Sequence, residues 1–111
     1  NRRIMESKEI VKSLAALAQL SRLEVFRFLV VTGNAGATPG VLSESLAMPA
    51  ATLSFHLKEL LHAGLVDQER SGRNLIYRAN FAQVQAVLAY LTENCCQGAP
   101  CAASTPDACA C

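Results

Sequence analysis

The stretch ATLSFHLKELLHAGLVDQERSGRNLIYRA, residues 51–79, decides the fold. Leu53, Leu57, Leu60 and Leu61 recur at three- and four-residue spacing, which makes one apolar stripe along a helix. That helix opens at Met48-Pro49 and stops at Gly64, where a left-handed residue can end it. Thr52, Phe55, Lys58, Glu59 and His62 point away from the stripe. Beyond the stop, residues 65–69 and 75–78 are short strand candidates joined through Ser71-Gly72. Arg70, Arg73 and Arg78 lie along this hairpin, with no acid between Arg70 and Arg78.

Upstream, residues 5–19 place Ile10, Val11, Leu14, Leu17 and Ala18 on one helical face. SRLE at 21–24 reads as a capping box, with Ser21 accepting from the backbone of Glu24 and Glu24 reaching back. A second helix then runs to Gly33, and GNAGATPG forms a loop. Thr38-Pro39 starts a short third helix, because proline at the first helical position loses no hydrogen bond. Downstream, residues 81–94 form a last helix, apolar at Val84, Val87, Leu88 and Leu91. The order is ααααββα: mainly α, formally α+β. A short helix, a tight turn, a Leu-striped helix and a basic hairpin make a winged helix-turn-helix. The fourth helix would then enter the major groove. Residues 1–93 form the folded domain and 94–111 a cysteine-rich tail.

Composition narrows the choices. At 111 residues with 51% hydrophobic side chains, the chain has one core's worth of sequence. Its mean hydropathy of +0.24 suggests that part of the apolar surface is hidden in an oligomer. The net charge of +1 does not by itself announce nucleic acid. No apolar run approaches a membrane span, and no secretory pattern is visible, so a cytoplasmic chain is expected. No Cys-x-x-Cys opens a helix, and no nucleophile–base pair or cofactor motif appears, which argues against an enzyme.

On the fourth helix, Thr52, Ser54 and Phe55 sit near the end offered to base edges, and Ser54 and Lys58 can bind phosphate. His56 can be a half-buried core residue or a DNA contact. Arg70 and Arg73 flank the hairpin turn, where a solvated turn competes with phosphate or minor-groove contact; the local charge favours contact.

SFHLKELLHAGLV followed by RSGRNLIYRA resembles the ArsR/SmtB family of metal-sensing bacterial repressors. The resemblance rests on Ser54, His56, Leu57, Ala63, Gly64, Leu65, Val66, Arg70, Gly72, Arg73 and Tyr77, and element order extends it over residues 6–93. It implies a homodimer paired through the first and last helices, bound to an inverted-repeat operator until an inducer arrives. The chain also departs from the family. Where arsenic sensors carry a Cys-Val-Cys box, VLSESLAM has no cysteine. Where zinc sensors carry Asp and His on the last helix, FAQVQAVLAYLTEN offers only Glu93.

All five cysteines fall within residues 95–111. An odd, clustered count suits a reduced chain better than a disulfide framework. Cys95, Cys96 and Cys101 are the candidate ligands, with Cys109 and Cys111 as spares, replacements or a fourth position. Trivalent arsenic or antimony, soft and pyramidal, suits three thiolates, whereas zinc prefers four ligands and commonly histidine. On a continuous helix Cys95 and Cys96 would diverge by about 100°; fraying toward Gly98 would let both turn to one centre, and Gly98 and Pro100 would return Cys101 to it. The expected function is an arsenite- or antimonite-released repressor. A cadmium or lead sensor, or a thiol redox or persulfide switch on the same fold, is the alternative.

Overall fold

The computed structural model describes residues 6–98. In it α1 (Ser7–Leu17), α2 (Leu20–Thr32), α3 (Pro39–Leu46) and α4 (Ala50–His62) precede a hairpin of β1 (Val66–Ser71) and β2 (Asn74–Ala79). Helix α5 (Phe81–Leu91) follows, and short 3-10 turns occupy Gly33–Ala35 and Cys95–Gly98. The expected ααααββα order holds.

The core forms where α2, α3 and α4 meet the hairpin. Val25 and Leu29 from α2, Leu42 from α3, and Leu53, Leu57 and Leu60 from α4 are almost wholly withdrawn from water. Leu65, Val66, Tyr77 and Ala79 carry that core onto the strands. Leu61, expected on the stripe, only packs against its edge. A smaller cluster joins α1 to α5 through Ile10 and Val87, with Ala86 against them.

Local chemistry explains most boundaries. The Thr38 hydroxyl accepts from the Val41 amide as Pro39 begins α3. Ala47, left-handed at φ 51°, turns the chain between α3 and α4, and the Ser43 hydroxyl donates to the Met48 carbonyl across that turn. At the end of α4, the Gly64 amide donates to the Leu61 carbonyl and the Leu65 amide to the Leu60 carbonyl. With Gly64 at φ +77° this is a Schellman closure, which spends two otherwise stranded carbonyls.

Four sequence expectations need correction. The capping box at 21–24 does not form: α2 starts two residues earlier, and Gln19 accepts from the Arg22 amide at 2.7 Å. Ser21 therefore lies inside the first turn and cannot cap it. The hairpin turn is Gly72-Arg73 rather than Ser71-Gly72, because Ser71 pairs with Asn74 and Gly72 supplies φ +64°. The loop after α2 is not merely a loop: the Ala37 amide donates to the Tyr77 carbonyl at 3.0 Å and the Tyr77 amide donates back at 2.9 Å. Finally, α5 stops at Leu91, short of Asn94, where the Thr92 hydroxyl takes up the Leu88 carbonyl and Asn94 turns left-handed at φ 58°.

Candidate nucleic-acid interface and thiol turn

Helix α4 presents Thr52, Ser54, Phe55 and Lys58 to solvent while its leucines face inward. Phe55 is 54% exposed, a large apolar ring left half in water. Arg70 and Arg73 are also exposed, one near the end of β1 and one in the turn itself. The structure thus brings the hydroxyl, aromatic and lysine side chains together on one helix and adds two cations on the wing. It separates Arg78 from them. That guanidinium donates to Glu69 at 2.6 Å and to the Asn34 carbonyl at 2.7 Å, so it braces the base of the hairpin.

His56 is corrected from the contact set. It is only 5% exposed, and its Nδ1 accepts from Arg22 Nε at 3.4 Å, so the ring faces the interior and offers no edge to a groove. Burial pushes its pKa below the ordinary 6.5, the Arg22 charge lowers it further, and Glu59 opposes both. The ring is therefore neutral near pH 7. Arg22 was missed by the sequence reading; SRLE looked like a cap, and nothing in its spacing points to a residue 34 positions away.

A second polar knot lies behind α4. The Gln83 carboxamide, buried in the first turn of α5, donates to the Ser13 hydroxyl of α1 at 3.0 Å and to the Ala63 carbonyl at 3.3 Å. Three helices meet on one side chain.

Past α5, Cys95 and Cys96 sit in the Cys95–Gly98 turn, with Cys96 and Gln97 both left-handed. Their sulfurs are 3.4 Å apart. The pair is not carried on a continuous helix and does not diverge, because the chain has left the helix before reaching it. Cys101, Cys109 and Cys111 lie outside the described residues. Among the described residues no group of three or more His, Cys, Asp or Glu side chains could hold a metal. No helix there is long and apolar enough to cross a membrane.

The face shared by α1 and α5 is apolar and open. Val11 and Leu14 on α1, and Leu88 and Leu91 on α5, are 40–63% exposed. The Ser7 hydroxyl and Tyr90 phenol, 2.5 Å apart, link the two helices.

Residues 17–69 match the family described as a helix-turn-helix domain. No functionally curated protein matches the chain. Among solved structures, an ArsR-like transcriptional regulator from Rhodococcus sp. RHA1 is 28% identical at a TM-score of 0.69, over 76% of each chain. HlyU from Vibrio cholerae N16961 is 29% identical at 0.64, over 84% of this chain and 100% of its own. A structure described as a "possible transcriptional regulator for arsenical resistance" is 26% identical at 0.59, over 73% of this chain and 84% of its own. The fold is a winged helix-turn-helix, its matched segment is a helix-turn-helix domain, and the chain is similar to transcriptional regulators of that fold. Within that class its likeness is to the ArsR/SmtB type.

Proposed function

We propose that the chain is a cytoplasmic, homodimeric repressor that releases an inverted-repeat operator when trivalent arsenic or antimony binds its C-terminal thiolates. Cys95, Cys96 and Cys101 hold the inducer, with Cys109 and Cys111 in reserve. The observation that carries this reading is the pair of adjacent sulfurs, 3.4 Å apart, directly after the last helix. Once reduced, two thiolates this close can bind one soft ion together. The similar structure described for arsenical resistance supports the same direction.

Thr52, Ser54, Phe55 and Lys58 read or grip the major groove, and Arg70 and Arg73 take phosphate or the minor groove. The apolar face of α1 and α5 forms the dimer seam, setting half-sites about 34 Å apart. The thiol turn begins four residues beyond that seam's last leucine, Leu91. Ordering it around an ion acts on the dimer geometry. A coupling of ~1–3 kcal/mol would weaken operator binding about 5- to 150-fold.

A fluorescence-anisotropy titration of operator-bound, reduced protein with arsenite, antimonite, cadmium and zinc tests the reading. Release by the two metalloids at the lowest concentrations is expected. Cys95→Ser and Cys96→Ser should each bind operator normally and resist arsenite; release retained in both variants discards the site. The same close pair of sulfurs favours a second reading, a thiol redox switch. Release by a disulfide oxidant in metalloid-free buffer, reversed by dithiothreitol, would establish it.

A further inference from the structure

Phe55 is unusual on α4 in being large, apolar and half exposed, and its ring does not stand alone. The Arg22 guanidinium carbon lies 5.7 Å from the ring centroid, within the range of a cation–π contact. The same guanidinium donates through Nε to His56 Nδ1 and through one terminal nitrogen to the Ala16 carbonyl at 3.3 Å. Ala16 lies in the last turn of α1, Arg22 in the first turn of α2, and Phe55 and His56 on α4. One planar cation from α2 is therefore held by acceptors on α1 and α4 and lies against the exposed ring that α4 also carries.

We propose that Arg22 is a positioning residue for DNA reading: anchored by Ala16 and His56, it seats Phe55 at the groove-facing side of α4. The inference rests on α4 being the recognition helix. A seated ring presents its edge to an apolar group in the major groove, of which the thymine methyl is the one available. Without its seat the side chain samples other rotamers, and binding must restrict them. Arginine is specific here, since a lysine offers one point charge and cannot reach both acceptors in a plane.

The arrangement also depends on protons. Arg22 from α2 and Glu59 from α4 are the charged groups acting on His56, and α1 contributes the Ala16 carbonyl. Neutral His56 accepts from Arg22. Protonated His56 has no lone pair at Nδ1 and repels the guanidinium, so the seat is lost as pH falls through the His56 pKa, which burial holds below the ordinary histidine value.

The test uses reduced full-length protein and a duplex selected by the wild-type chain from random-sequence DNA. Anisotropy is read across salt concentration and from pH 5.5 to 8 for wild type, Arg22→Lys, Arg22→Gln, Phe55→Leu and the Arg22→Gln/Phe55→Leu double variant. Arg22→Gln and Phe55→Leu should each weaken binding about 3- to 10-fold, and the double variant should be within about twofold of the weaker single. The salt slope should stay unchanged in Arg22→Gln, and the low-pH loss should be shallower than in wild type. Arg22→Lys, which keeps the charge, serves if Arg22→Gln unfolds; it should weaken binding with the slope unchanged. A salt slope reduced by about one makes Arg22 a direct phosphate contact and overturns the inference. Multiplying effects in the double variant overturn it too. A wild-type chain that selects no duplex overturns the DNA-binding reading, and this inference with it.

Discussion

Gln83→Leu isolates the knot behind the recognition helix. Leucine has nearly the right volume, so the change removes hydrogen bonds without opening a large hole. At least two bonds go, among them one to Ser13 and one to the Ala63 carbonyl, at 3.0 and 3.3 Å. Ser13 is fully buried and Ala63 is 6% exposed, so water cannot readily replace the lost donor. Each net bond contributes about 1 kcal/mol, and a stranded buried acceptor costs about 1–3, giving a loss of roughly 2–4 kcal/mol. For a domain near this size that lowers the melting temperature by about 10–20 °C. Circular-dichroism melts at one fixed protomer concentration measure it, since any dimer makes the midpoint concentration-dependent. Ser13→Ala added to Gln83→Leu should cost little more, because the partner it abandons is already gone. A single variant melting within 3 °C of wild type (about 0.5 kcal/mol), or full additivity with Ser13→Ala, would refute the reasoning.

Three further outcomes are expected. Arg73→Ala should weaken operator binding and lower the slope of log affinity against log salt by about 0.9, as one released phosphate contact requires; an unchanged slope removes the turn from the interface. Gly36→Ala should destabilise by roughly 2–4 kcal/mol, read by urea denaturation, because φ is +65° and a Cβ would lie 2.6 Å from the Tyr77 carbonyl oxygen. Gly33→Ala shares the positive φ but meets nothing within 4 Å, so it should cost clearly less. Stability should fall as pH drops. His56 has a lowered pKa in the fold, so below about 6.5 the unfolded chain binds a proton that the folded one refuses. The urea midpoint should decline from pH 7.5 to 5.5, and His56→Gln should flatten that decline; parallel curves would disprove it.

The elements were legible because their signals are local. The leucine spacing on α4, Thr38-Pro39 before α3 and Gly64 after α4 each act within a few residues, and each element formed. What escaped depends on partners distant in the chain. Arg22 looks like part of a cap until His56 stands beside it, and Gln83 looks like a surface glutamine until Ser13 and Ala63 close over it. The Ala37–Tyr77 bridge is equally invisible, since a single pair of residues carries no periodicity. The exposure of Thr52, Ser54, Phe55 and Lys58 was legible by elimination from the stripe, and that of Arg70 and Arg73 from their place beside a turn. The same logic could not decide His56, because a polar ring beside a leucine stripe fits either face until the fold places it. The helix before the thiol pair was expected to run to Asn94, but Thr92 and Asn94 end it first and leave Cys95 and Cys96 in a turn.

The small bridge between Ala37 and Tyr77 has a mechanical consequence. Its two backbone bonds clamp the hairpin to the segment that leads into α3, so the two prongs offered to a duplex share one chassis. Neither prong can be re-aimed independently by a loose hinge. Where groove width and prong separation disagree, the duplex must bend or narrow to meet them, and pliant base steps cost least. On the proposed reading, operators with pliant steps between the contacted base pairs should therefore bind best.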